Sequence, residues 1–474
     1  MNFQSLYDGM PYPLQSLMLN GYSLKIHLQR YGADFRRLFA ELEQTQWYDS
    51  GQIRRYQDDR LRTLVRHAYE YSPYYREVMD RRAIKPRDIE SVGDLPKLPI
   101  LEKSDVRKGY ATLRSTAVPE KSVGKGSTSG TTGSPLTVAW DLPTQIVNNV
   151  VDWRQKKWGG IVYGDRIAQI LGRTIVAIDR KRPPFWQQDF LHNQLWMSAF
   201  HLRADYLQHY VQKLLRYAPD AIEGYPSTVV ELARFIHEAK TKRPKPRAIF
   251  TSSEPLLPEH RELVEDVFQA PVFDFYGTAE RVLFATQCDR HHGQHVNFEF
   301  GVLEVVDAEG QPCAPDQEGE IVATSLWNLA MPMLRYRVGD RTRLLPQTCS
   351  CGRSAPLMTC VQTKHEDAIV RPDGTHISPS ILTHPFKPIS SIERSQVVQT
   401  HKDKIEIRIV RRAEFKQNDE DRLLQEFRRR VGSSMHVVVT YPQEIPRTRS
   451  GKYRWVVNET LRPAKVADNE SPTP

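Results

Sequence analysis

Cysteine is scarce in this chain: 5 of 474 residues, Cys288, Cys313, Cys349, Cys351 and Cys360, all confined to one stretch. An odd, clustered set in a large chain argues against a disulfide framework and for a reduced compartment. The segment from Met1 to Ile26 lacks an uninterrupted apolar run and contains Asp8, Pro11 and Pro13. It fits neither a signal peptide nor a transmembrane helix, so a cytoplasmic protein without membrane insertion is expected. Also missing is any long basic block interleaved with aromatics, the pattern of nucleic-acid grooves, and no nucleic-acid partner is expected. The balance of 66 Lys plus Arg against 57 Asp plus Glu gives only net +9. Spread along the chain, that excess reads as solvated surface that still favours anionic small substrates. What is present, 39% hydrophobic residues over 474 positions, suffices for two or more domains with substantial cores.

Large side chains are absent from Gly126-Ser-Thr-Ser-Gly-Thr-Thr-Gly133, which holds five hydroxyls and three glycines. Glycine admits close backbone approach, and Ser and Thr add hydroxyl donors to amides that can turn toward phosphate oxygens. The stretch reads as a phosphate cradle, and the strand-like Leu136 to Trp140 after it argues against a linker. Ser134-Pro135 follows where a Walker A loop requires Lys, so a P-loop NTPase is excluded. A phosphate-neutralising cation must come from elsewhere in the chain.

Ahead of the cradle, Leu61, Leu64, Val65, Ala68 and Tyr69 recur at helical spacing, and residues 1–100 are expected to be mainly helical, with Pro73 ending a helix or at a turn. After it, residues 144 to 240 alternate helical stretches with short strands such as Arg166 to Leu171, which predicts βαβ units and a mainly parallel sheet. Ligands in such sheets sit at the carboxyl ends of strands. Val302 to Val306 and Gly319 to Thr324 read as a hairpin. Near the carboxyl end, strands around Val397, Ile405 and His436 surround a helix from Asp419 to Val431. Arg428, Arg429 and Arg430 at its end oppose the helix dipole and are expected to be solvated.

The cradle resembles the [ST]-S-G-[ST]-T-G loop of the adenylate-forming superfamily of acyl-coenzyme A synthetases, luciferases and adenylation domains. Val272 to Glu280 is similar to its Y-G-x-[ST]-E motif, Met331 to Asp340 to Y-R-x-G-D, and Pro446 to Lys452 to P-R-T-x-S-G-K. The strings Tyr71 to Arg76, Leu95 to Ile100, Gly224 to Ser227 and Ala248 to Pro255 resemble the phenylacetate-coenzyme A ligase and capsular-polysaccharide branch. The resemblance implies an ATP site of Ser127, Thr128, Ser129, Gly130, Thr131, Thr132, Gly133, Ser253, Glu254, Tyr276, Gly277, Thr278, Asp340 and Lys364. Within it, Tyr276 would lie along the adenine, Asp340 would accept from the ribose hydroxyls, Glu280 would hold Mg²⁺, and Lys452 would be the missing catalytic cation. Ala279 stands where the motif usually has Ser or Thr, with the hydroxyl displaced to Thr278. Thr363-Lys364 replaces Gly-Arg of the hinge motif, leaving Glu366 and Asp367 as the expected hinge.

The fold implied is α/β: a large multi-layer amino-terminal domain over residues 1–362, a small mobile α+β lid over 363–462, and a disordered tail over 463–474. The activity implied is ATP-dependent activation of a carboxylic acid as an acyl-adenylate, with pyrophosphate released and the acyl group passed to coenzyme A. The alternatives are an amine or sugar hydroxyl as acceptor, or a homologue that binds nucleotide without turnover. Thiolates and imidazole are preferred zinc ligands, and Cys288, His295, Cys349 and Cys351 are expected to form a structural zinc site. His291 and His292 compete for the fourth position, and some relatives in this branch carry such a zinc. Cys313 and Cys360 are expected to be spectators.

Overall fold

Five parallel strands at the centre of a ten-stranded sheet organise a computed structural model that describes residues 3–127, 136–361, 368–377, 379–386, 388–389, 391–445 and 455–461. Thr128 to Gly133, Lys364, Glu366, Asp367, Lys452 and the tail lie outside the described residues, and Ser127 is described through its backbone alone. The described chain divides into two compact units, one up to residue 361 and one from residue 368.

In the larger unit the parallel strands are β1 (Ile167–Leu171), β2 (Gln194–Ser198), β3 (Ala221–Gly224), β4 (Ala248–Ser252) and β5 (Val272–Gly277). They lie in the order β2-β1-β3-β4-β5. Chain direction across the sheet therefore reverses between β1 and β3, the point at which doubly wound sheets open a crevice. The fully buried runs Ala-Ile-Phe-Thr of β4 and Ala-Ile-Glu-Gly of β3 are what a sheet covered on both faces demands. Gly224 ends β3 where a Cβ would come within 2.9 Å of Thr228 Oγ1 and Val229 Cγ2. Only glycine lets the helix Pro226–Glu238 start so close to the strand.

Beyond β5 the sheet continues antiparallel through Phe284–Thr286, Gln294–Val296, Leu357–Met358 and Leu344–Leu345. Val302 to Val306 and Gly319 to Thr324 pair antiparallel, as expected of a hairpin, and Tyr336–Thr342 joins them in a separate three-stranded sheet. The strands flanking the cradle, Gly124–Ser127 and Thr137–Trp140, also pair antiparallel. A Cβ on Gly126 would stand 2.1 Å from Trp140, so glycine there is a packing requirement.

The leading segment is helical as the periodicity predicts, with Leu61, Leu64, Val65 and Ala68 buried on one face of Ser50–Tyr71. Asp49 caps that helix, accepting from Gln52 N at 2.8 Å, and Pro73 is the first residue of the next helix, Pro73–Arg81. Among the described residues no helix is long and apolar enough to cross a membrane.

The smaller unit holds a four-stranded sheet in the order His436–Thr440, Lys404–Arg411, Ile392–His401, Val456–Asn458, with the helix Gln417–Val431. The expectation that all three arginines at its end are solvated is corrected for Arg430. It is buried, and its guanidinium pairs with Glu426 one turn earlier at 2.6 Å.

Candidate functional site

The carboxyl ends of β4 and β5 carry Ser252-Ser253-Glu254 and Tyr276-Gly277. Ser253, Glu254, Tyr276, Gly277 and Asp340 line one cavity together with Asp274 and Gln294. Five residues drawn from three separated sequence strings are thus brought to one place. Ser253 adopts φ 71°, a left-handed conformation unusual for a non-glycine residue that turns the chain sharply off the strand end. Glu254 accepts from the Ser227 amide at 3.1 Å, joining the β3 and β4 termini.

The Y-G and Y-R-x-G-D strings are clamped by two hydrogen bonds four residues apart on both sides. Tyr276 Oη donates to Asp340 Oδ2 at 2.8 Å, and Tyr336 Oη donates to Glu280 Oε1 at 2.7 Å. Burial, then the Asp340 charge, raises the Tyr276 hydroxyl well above the ordinary tyrosine range. Burial, then Glu280, does the same for Tyr336. Both hydroxyls therefore stay protonated and donate. Glu280 is 5% exposed, and its carbonyl accepts from Trp140 Nε1 at 3.2 Å. That bond holds the strand leaving the cradle beside the carboxylate. The Thr278 hydroxyl is engaged locally, accepting from Val282 N at 3.1 Å, and Thr278 does not line the cavity.

Asp274, Gln294 and Tyr336 were not singled out by sequence reasoning. Asp274 accepts from Thr251 Oγ1 at 2.8 Å and Gln294 Nε2 at 3.0 Å. Burial outweighs these bonds and raises its carboxyl to about 7. The available signal was an acid in the otherwise apolar run Val-Phe-Asp-Phe.

A second cluster forms where the antiparallel extension of the sheet begins. Ligand atoms of Cys288, His295, Cys349 and Cys351 all lie within 4.8 Å of one another. Cys288 Sγ is 3.6 Å from Cys349 Sγ, and Cys351 Sγ is 3.4 Å from His295 Nε2. Tetrahedral zinc with Zn–S and Zn–N bonds of about 2.3 and 2.0 Å has ligand-to-ligand edges of about 3.5–3.8 Å, so the donor set fits that ion. His291 and His292 do not join the cluster, and neither do Cys313 and Cys360. Burial, then Arg353, lowers His295 to about 4, leaving a neutral imidazole. Burial pushes the Cys288 thiol up to about 12, so a bound cation is what would make it a thiolate. Gly352, at φ 85°, turns the knuckle. Arg353 behind it packs over Trp158 at 4.2 Å and donates to Gln46 Oε1 at 3.0 Å.

Residues 369–459 match the family model of the CapK C-terminal domain. Protein CapK of Staphylococcus aureus is 25% identical over 461 residues, covering 96% of this chain and 98% of that protein. A phenylacetate-coenzyme A ligase of Thermus thermophilus is 25% identical over 442 residues, covering 86% of this chain and 96% of the ligase. Over most of its length the chain is thus similar to a CapK protein and to phenylacetate-coenzyme A ligases. A solved 2-hydroxyisobutyryl-CoA ligase, crystallised in the postadenylation state with an acyl-AMP, superposes with a TM-score of 0.57 at 20% identity. That match covers 87% of this chain and 91% of the ligase. It supports the large α/β domain followed by a small α+β one, the architecture the motif order implies for the superfamily.

Proposed function

We propose that the chain is an AMP-forming ligase that activates a carboxylic acid with ATP and passes the acyl group to coenzyme A. The observation that carries this reading is the convergence of Ser253, Glu254, Tyr276, Gly277 and Asp340 on one cavity at adjoining strand ends. A carboxylate is a poor electrophile, and attack of its oxygen on the α-phosphate of ATP, with pyrophosphate leaving, makes the carbonyl attackable by a thiol. Such a reaction needs chiefly positioning and charge stabilisation. Asp340 offers a carboxylate for two ribose hydroxyls, and Tyr276, fixed by it, offers a ring face for the base. The cradle amides and hydroxyls bind the phosphates, and Lys452 supplies the cation that the cradle lacks. Glu280 is the carboxylate for Mg²⁺, which when bound neutralises phosphate charge. Lys364 belongs to the nucleotide-binding set, and Glu366 and Asp367 form the hinge of a carboxyl-terminal lid that turns between adenylation and thioester formation.

Zinc in the Cys288, His295, Cys349, Cys351 cluster is structural in this reading. Four protein ligands leave no open position, so its contribution is to join two loops of the larger unit. The relatives support coenzyme A as acceptor, since several are coenzyme A ligases. Pyrophosphate release measured over a panel of carboxylic acids, with products identified by mass spectrometry in the presence of coenzyme A or hydroxylamine, tests the reading. A thioester formed with coenzyme A is the expected product, and an adenylate that only amines consume would overturn the acceptor.

A further inference from the structure

A second cavity, of about 500 Å³, lies between the sheet and the helices Tyr12–Arg30 and Leu142–Trp158, and shares Phe275 with the Tyr276 cavity. Its floor is a row in register across three strands: Trp196 on β2, Gln169 on β1 and Glu223 on β3. That row crosses the reversal of strand order, where open α/β sheets bind ligands. Trp196 lines this cavity, whereas its strand neighbour Met197 and the nearby Phe200 and Phe250 are buried core and Tyr225 lies outside it.

The charges lining it are unevenly satisfied. Lys156 Nζ pairs with Asp152 at 2.6 Å and Glu223 at 3.4 Å, and His192 Nδ1 pairs with Asp189 at 2.7 Å. Asp152 and Glu223 thus share the Lys156 ammonium, and Asp189 is engaged by the His192 ring. Of the three lining arginines, Arg173 packs over Trp196 at 5.1 Å, and the other two do not have the converse. Arg281 stacks over Trp140 at 4.5 Å, and its Nη1 is buried with no hydrogen-bond partner among the described residues. Arg30 donates through Nη2 to Gln145 Oε1 at 2.5 Å, while its Nε is likewise buried without a partner among them. Guanidinium N–H groups left buried and unpaired are costly, and an anion is the ligand that supplies the missing bonds.

We propose that this cavity receives the non-reacting end of the acid substrate, and that this end carries a second anionic group bound by Arg30 and Arg281. The assignment rests on the activation reading for calling the ligand a substrate, so binding and turnover are tested separately. Calorimetric titrations with a non-hydrolysable ATP analogue present would compare succinate, glutarate and 4-carboxyphenylacetate, each against its monoamide. Charge-assisted hydrogen bonds predict that at least one diacid binds tighter than its monoamide by about 10-fold or more in the wild type. In Arg281→Gln or Arg30→Gln that ratio should fall to within about threefold of unity, with Arg281→Lys intermediate as a control for folding. Equal or tighter binding of every monoamide, absence of binding by any diacid, or a preference that survives in the double Gln variant would overturn the assignment. Pyrophosphate release with the same panel reads the activation reading alone. A diacid bound selectively but never adenylated would defeat that reading and leave the cavity assignment standing.

Discussion

Asp340 faces two demands at once, since it accepts from Tyr276 at 2.8 Å and, in the proposed reaction, from the ribose. Replacing it with Asn leaves one acceptor oxygen and no charge. Asp340→Asn should therefore lower kcat/KM for ATP by about 10- to 100-fold, the weight of one or two charge-assisted bonds. Steady-state kinetics at saturating acid would check this, and an unchanged value would remove Asp340 from the nucleotide site. Asp274 makes a different prediction, in stability. Its folded pKa of about 7 stands above the ordinary 3.8, so between those values the folded state holds a proton that the unfolded state has lost. By linkage, its contribution makes stability fall as pH rises through that window and level off above about 7. Asp274→Asn should lack that decline. Denaturant unfolding from about pH 4.5 to 7.5 would show wild-type and variant curves converging or crossing; curves that stay parallel would contradict the shift.

At the scale of elements, His295 sits in the strand Gln294–Val296, and the pairing of that strand with Leu357–Met358 brings it to Cys288 and to the Cys349-Ser-Cys351 turn. Zinc binding to such a set contributes directly to folding free energy. Purified protein should hold about one equivalent of zinc and Cys349→Ser less than half, with a fall in Tm; undiminished zinc in the variant would reject the ligand set. This set was legible in the sequence because thiols are few and Cys349-Ser-Cys351-Gly-Arg353 stands out. The Tyr276 and Asp340 strings were legible through their order along the chain. Tyr336 at Glu280 and Gln294 at Asp274 were not, because each is a long-range hydrogen bond between side chains whose local patterns are ordinary. Arg30 was the least legible of all. It ends a helix near the amino terminus, and only the tertiary fold brings it to a cavity shared with Arg281, 251 positions along the chain.

Across the whole molecule, the proposed reaction divides labour between two units: the larger carries the nucleotide cavity and the smaller carries Lys452 in its sequence. A hinge at Glu366 predicts that Glu366→Pro, by fixing φ at the pivot, slows thioester formation more than adenylation. Rates of the two half-reactions measured separately would check this, and equal loss of both would place the pivot elsewhere. The most direct test of the central claim is the stoichiometry of AMP, pyrophosphate and acyl-coenzyme A formed from ATP, coenzyme A and a panel of acids, in wild type and Lys452→Ala. Equimolar, acid-dependent formation of all three is predicted, reduced about 10²- to 10³-fold in the variant. No acid-dependent AMP from the wild type, or AMP formed at the same rate without Lys452, would contradict the account.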